Sequence, residues 1–114
     1  MLLCRQEVHV LKKIYLDEGA EKFVFFKLSD DSFALRSTYR PYHKNILDDF
    51  EKEARREDLR VVDYGGAKLY ITSDRIRLFD GSAAWGSFPD RLIEPLFTLL
   101  KEEFPDKTIL DNLD

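Results

Sequence analysis

The chain has 114 residues, 44% of them apolar and 35% charged, with only 5 Gly and 4 Pro, the size and composition of one globular domain rather than two. A chain of this length buries enough surface to fold without a disulfide or a structural metal, and Cys4, the single cysteine, has no partner for an internal bridge. The net charge of −4, from 18 basic and 22 acidic residues, argues against non-specific binding to nucleic acid or an anionic membrane, which depends on neutralising many phosphates, while leaving room for one bound anionic group.

The apolar runs, such as Phe23 to Phe26, fall far short of a membrane span, and Arg5 and Glu7 interrupt any signal-peptide core. The expectation is a soluble, monomeric, cytoplasmic protein that engages neither membrane nor nucleic acid. Cys4, His9 and His43 match no zinc or iron ligand spacing, and the dinucleotide, Walker and Gly-x-Ser-x-Gly signatures are missing, so no metal and no cofactor are expected.

In chain order, residues 8 to 16 alternate apolar and polar, a half-buried strand broken at Lys12, and Asp17-Glu18-Gly19 turns the chain. Lys22 to Leu28 is a dense aromatic and β-branched run, Ser29 to Ser32 is turn chemistry, and Phe33 to Ser37 resumes, which predicts a hairpin. After Pro41, Ile46, Leu47, Phe50 and Ala54 recur at helical spacing. Leu59 to Tyr64 reads as a short strand ending at Gly65-Gly66. Ala67 to Thr72 and Arg75 to Asp80 then form a second hairpin, and a small-residue loop, Gly81 to Ser87, leads to a helix from about Asp90 to Phe104. Pro95 fits that helix only in its first turn. Thr108 to Leu110 supplies a last strand.

Residues 22–63 and 68–111 thus each read strand, turn, strand, loop, helix, strand, the pattern of an internal β-β-α-β duplication. The fold class expected is α+β: a mixed sheet of about six strands covered by two helices. In both halves a loop runs from the second strand into a helix start, and a pseudo-twofold would bring those two loops together as one site.

His43 is the residue singled out for chemistry. It precedes Ile46, Leu47 and Phe50 at helical spacing and so faces inward at the helix start, where unpaired N–H groups and the positive end of the macrodipole favour a bound phosphate. That positive end disfavours an imidazolium and keeps the ring neutral, as a nucleophile or general base requires. The bland alternative is a core-edge histidine bonded to a carbonyl. Arg36, Arg40 and Lys44 lie nearby in sequence, with Lys22 and Lys68 beginning strands in the two halves; each alone is ordinarily a solvated cation. Ser82 to Gly86 is small enough to offer its amides as an anion-binding nest.

Taken together, Tyr42-His43 before an amphipathic helix, Gly65-Gly66-Ala67-Lys68-Leu69, Ser82-Ala83-Ala84-Trp85-Gly86, and Lys101 to Pro105 before a final strand resemble the Janus/Ocnus family, the small phosphohistidine phosphatase-like proteins, over about Asp17 to Leu110. The chain departs from the family pattern at Ala67, Lys68, Ala83 and Trp85. The resemblance implies that His43 is the catalytic histidine and Lys22 a phosphate contact. Lys44 would supply a backbone N–H, Lys68 would replace an arginine, and Ser82, Ala83 and Ala84 would give hydroxyl and amide donors. Arg36 is also implied, with a spacing to His43 that differs by one residue. The expected activity is metal-independent hydrolysis of the P–N bond in a phosphohistidine-bearing protein, with phosphate or sulfate as a simple anion for the same cleft. A non-catalytic phosphoprotein-binding module and a structural domain with no anion site are the rivals.

Overall fold

The computed structural model describes residues 11–82 and 84–113. Cys4, His9, Ala83 and the part of the first predicted strand before Leu11 lie outside the described residues. The elements run β1 (Ile14–Leu16), β2 (Lys22–Leu28), β3 (Phe33–Ser37), α1 (His43–Arg55), β4 (Val61–Ile71), β5 (Arg75–Gly81), a 3₁₀ turn (Asp90–Leu92), α2 (Ile93–Glu103) and β6 (Thr108–Asn112). The six strands form one mixed sheet in the order β1-β3-β2-β4-β5-β6, with β1–β3 and β5–β6 parallel and the other pairs antiparallel. The protein is therefore α+β, as expected. Among the described residues no helix is long and apolar enough to cross a membrane.

The unbroken run Phe23-Val24-Phe25-Phe26 is explained by a sheet covered on both faces. Phe23 and Phe25 join Leu35, Leu69, Ile76, Leu78, Leu96 and Leu100 in one core under α2. Val24, Phe26 and Leu28 point the other way and join Ala34, Ile46, Phe50 and Ala54 under α1. Successive side chains alternate between faces, so a strand sandwiched between helices needs apolar residues at every position. The Phe26 and Phe50 rings stack with centroids 4.1 Å apart, fixing α1 against β2.

Two expectations about boundaries resolve differently. Pro95 is the third residue of α2, in the first turn, where its missing N–H has no intrahelical acceptor to leave empty. Gly65-Gly66 does not end a strand: β4 is one strand of 11 residues running straight through it, paired with β2 from Val61 to Lys68 and with β5 from Ala67 to Ile71. The glycines there serve close packing. A Cβ on Gly65 would come within 2.5 Å of Pro89 Cδ on the α2 face, and one on Gly66 within 2.7 Å of His43 Cδ2 on the α1 face.

The two hairpin-loop-helix units, β2-β3-α1 and β4-β5-α2, share β4, the last strand of the first and the opening strand of the second. The strands that follow the helices are placed differently: β4 adds antiparallel to β2, whereas β6 adds parallel to β5. β3 and β5 run in opposite directions, yet their last residues, Ser37 and Gly81, stand in one row with Phe23 and Ala67, so the loops into α1 and toward α2 both begin at that level of the sheet.

Candidate functional site

Tyr42 is extended (φ −130°, ψ 149°) and caps α1, its N–H donating to Asn45 Oδ1 at 3.2 Å. His43 is then the first helical residue and shares the buried face of α1 with Ile46, Phe50 and Ala54. The first turn carries no acidic side chain of its own to neutralise the positive end of the helix.

Only 6% of His43 is exposed. Its Nε2 lies 2.9 Å from the carbonyl oxygen of Ala67, and since a carbonyl only accepts, Nε2 carries the hydrogen and Nδ1 the lone pair. The Cδ2 atom, beside Nε2, faces Gly66, so the Nδ1 edge is turned away from β4. The β4–β5 ladder is interrupted at the same point: the register shifts between Ala67 and Lys68, and Asp80, with φ +48°, is the extra residue of the bulge. The ring also leans on Trp85, centroids 5.7 Å apart, and Trp85 leans on Tyr64 at 4.7 Å.

His43 opens onto a cavity of about 710 Å³ lined by Lys22, Tyr42, Lys44, Lys68, Ser82 and Ala84 among others. Lys22 and Lys68 face one another directly across the β2–β4 pair on the α1 side of the sheet. Like charges in opposed cross-strand positions repel, so this pair has an unmet demand for negative charge that Asp80, 3.9 Å from Lys68, meets only in part. Burial, the leading cause, pushes the His43 pKa below its ordinary value. The hydrogen bond to Ala67 opposes that shift, and the charges of Lys22 and Lys68 add to it. The sequence reading expected a neutral ring from the helix dipole; burial and two lysines are the causes found here.

The loop after β5 is arranged differently from an anion nest. Ser82 is buried and bridged to Gly86, and its Oγ accepts the N–H groups of Ala84 and Trp85, each at 3.3 Å. The side-chain oxygen of a serine closing a tight turn takes the amides two and three residues on, so those amides are already used. What Ser82 has left to offer the cavity is its hydroxyl hydrogen. Lys44 lines the cavity, but its side chain is exposed and its ammonium pairs with Asp48 at 3.3 Å.

Arg36 is not brought to this cavity. It lies buried along β3, 2.9 Å from Glu53 of α1 and 4.8 Å above the Phe50 ring, and its Nη1 donates to the Leu35 carbonyl. It lines a separate cavity of about 240 Å³ with Thr38, whose buried hydroxyl has no partner among the described residues. Its geometry is that of a clamp between helix and sheet.

Gly66, Trp85 and the carbonyl of Ala67 are the participants that residue-type reasoning did not assign. An aromatic residue set in a run of small ones was the available signal for Trp85, and a glycine pair entering a strand the signal for Gly66; a backbone carbonyl leaves none. Chemically, the assembled groups are a neutral imidazole with an outward lone pair, two ammonium groups, a hydroxyl and the open end of a helix, around a cavity of about 710 Å³. Compared with known proteins, the chain matches no family model, and no curated protein matches it.

Proposed function

We propose that this cavity binds a phosphoryl group and that the protein hydrolyses the P–N bond of phosphohistidine in a partner protein, using no metal or cofactor. The observation that carries the reading is the convergence on the His43 cavity of Lys22 from the start of β2, Lys68 from within β4 and Ser82 from just after β5, with the N-terminus of α1 completing the ring. The resemblance of Tyr42-His43, Gly65 to Leu69 and Ser82 to Gly86 to the Janus/Ocnus family supports the same reaction.

Phosphoryl transfer asks a protein mainly to position the reactants and to stabilise charge on the equatorial oxygens. Lys22, Lys68, the Ser82 hydroxyl and the first amides of α1 are the groups for that task. In the nucleophilic route Nδ1 attacks phosphorus, the P–N bond to the substrate imidazole breaks, and that leaving nitrogen takes up a proton. The product on the protein is a phospho-His43 whose Nε2–H still donates to Ala67, so the carbonyl steadies the positive charge the ring acquires. Water then attacks phosphorus and releases inorganic phosphate. In the general-base route Nδ1 instead takes a proton from the attacking water.

Turnover of a phosphohistidine protein by wild type beside His43→Ala tests the assignment, and equal rates would end it. Rapid quench with radioactive phosphoprotein separates the two routes, because only nucleophilic attack leaves an acid-labile, base-stable label on the protein. Binding of phosphate by both proteins with no turnover by either would identify the cavity as a recognition site.

A further inference from the structure

Among the described residues, α1 packs on β2, β3 and β4, and no helix packs closely on the α1 side of β5 and β6. Strand register defines what that open face carries. Tyr70, Arg77 and Leu110 stand in one row across β4, β5 and β6, and Lys68, Phe79 and Asn112 stand in the next. Arg75 and Thr108 form a third row at the far end. Tyr70 is 57% exposed and Leu110 36%, so two large apolar groups face solvent on either side of Arg77, with Lys68 and Arg75 in the adjoining rows. Lys68 and Arg75 each have one carboxylate at 3.9 Å, Asp80 and Asp74, whereas Arg77 lies over the Phe79 ring with its Cζ 5.4 Å from the centroid and has no carboxylate partner among the described residues.

On a chain with net charge −4, this face sets Lys68, Arg75 and Arg77 against Asp80 and Asp74, which leaves the charge of Arg77 unbalanced among the described residues. Exposed Tyr and Arg side by side on a rigid platform are the residues that dominate protein interfaces. The face is also continuous with the cavity: Lys68 belongs to both. We propose that the open face of β4–β5–β6 is a docking surface for an acidic, apolar segment of a partner protein, with Arg77 as its central charge and Tyr70 and Leu110 as its apolar contacts. Resting on the function proposed above, the partner is the phosphoprotein itself, held by residues flanking its phosphohistidine.

The test uses the full chain and a synthetic peptide in which Glu and Leu alternate around one unphosphorylated His. The peptide should shift the amide resonances of Tyr70, Arg77 and Leu110, bind more weakly as salt rises, and lose about tenfold or more in affinity with Arg77→Glu. Tyr70→Ala should weaken it through lost apolar contact, with the thermal midpoint unchanged in both variants because both side chains are exposed. In turnover, Arg77→Glu should raise KM for a phosphoprotein with acidic flanks and leave hydrolysis of free phosphohistidine unchanged. No shifts on these strands, equal binding of the Lys-for-Glu peptide, or tighter binding of a thymidine oligonucleotide would each overturn the proposal. A peptide that seats on Arg77 in a protein without turnover removes the phosphatase reading and keeps the surface, and turnover without seating does the reverse.

Discussion

Replacing Gly66 by alanine is the sharpest perturbation of the site that removes none of its side chains. The added methyl would sit 2.7 Å from His43 Cδ2 and 3.0 Å from the six-membered ring of Trp85. Carbon atoms settle at about 3.5–4.0 Å, so the imidazole must retreat from β4 by roughly 1 Å. The bond from Nε2 to the Ala67 carbonyl, now 2.9 Å, then passes the limit of a hydrogen bond and its orientation of the ring is lost. Overpacking of this kind costs about 1–3 kcal/mol of stability, and a displacement near 1 Å at a reacting atom costs about 100-fold in rate. Gly65→Ala is the matched control, because its methyl meets Pro89 and Phe88 on the opposite face and leaves His43 untouched. Turnover of phosphohistidine protein, the imidazole nitrogen resonances of His43 and the thermal midpoint should be measured in parallel. Gly66→Ala should lose rate and its Nε2–H tautomer signature, while Gly65→Ala loses stability alone. Indistinguishable turnover and imidazole spectra in the two variants would refute the claim that Gly66 exists to seat the ring.

Acid dependence follows from the lowered His43 pKa. The folded protein holds fewer protons on this ring than the unfolded chain, so its contribution to stability is complete above the unfolded value of about 6.5 and is lost as pH falls from there toward the folded value. The acid limb of kcat/KM should correspondingly lie below 6.5; a limb at or above 6.5 that disappears in His43→Ala would contradict the assignment. Arg36→Met should cost about 1–2 kcal/mol by chemical denaturation, at the low end because Glu53 is 38% exposed and can be hydrated, and should leave phosphate affinity unchanged. A large loss of phosphate affinity would return Arg36 to the site. Phe26→Ala should destabilise by about 3–5 kcal/mol through the lost stack on Phe50, read as a shift in denaturation midpoint at constant slope.

The strands and helices were legible because their signals are local. The turn residues Ser29 to Ser32 between two apolar runs fix the β2–β3 hairpin, and Ile46, Phe50 and Ala54 at helical spacing fix the buried face of α1. The unbroken strand β4 was not legible, since a glycine pair has the same appearance whether it turns the chain or lets a ring approach the backbone; only the positions of His43 and Pro89 decide between them. The site divides in the same way. His43, Lys22, Lys44, Lys68, Ser82 and Ala84 were named by residue type and meet in one cavity. Arg36 was named by the same reasoning and goes elsewhere, because residue 36 shares its face of the sheet with Glu53 and Phe50 of α1, and that pairing depends on the helix crossing angle. The amides of Ala84 and Trp85 were expected to be open, and a serine hydroxyl one turn away consumes them.

Lys22 and Lys68 act in opposite senses on the two charges that matter to this site. Both raise the cost of a proton on His43, and both lower the cost of a phosphoryl dianion beside it. Burial and the two lysines therefore favour a neutral ring with its lone pair available. An arriving dianion offsets the field of the two ammonium groups, so the imidazole that was held neutral can carry positive charge while the anion is present. In the proposed transfer that charge is required, because the ring becomes cationic as the bond from Nδ1 to phosphorus forms with the hydrogen still on Nε2. Ligand affinity and the His43 pKa are then coupled: phosphate binding should raise the pKa, and by the same linkage phosphate should bind more tightly as the ring protonates. Titrating the His43 ring resonances with and without inorganic phosphate measures the coupling directly, and a pKa that does not move, or falls, when phosphate binds would mean that the anion does not share the pocket with the ring.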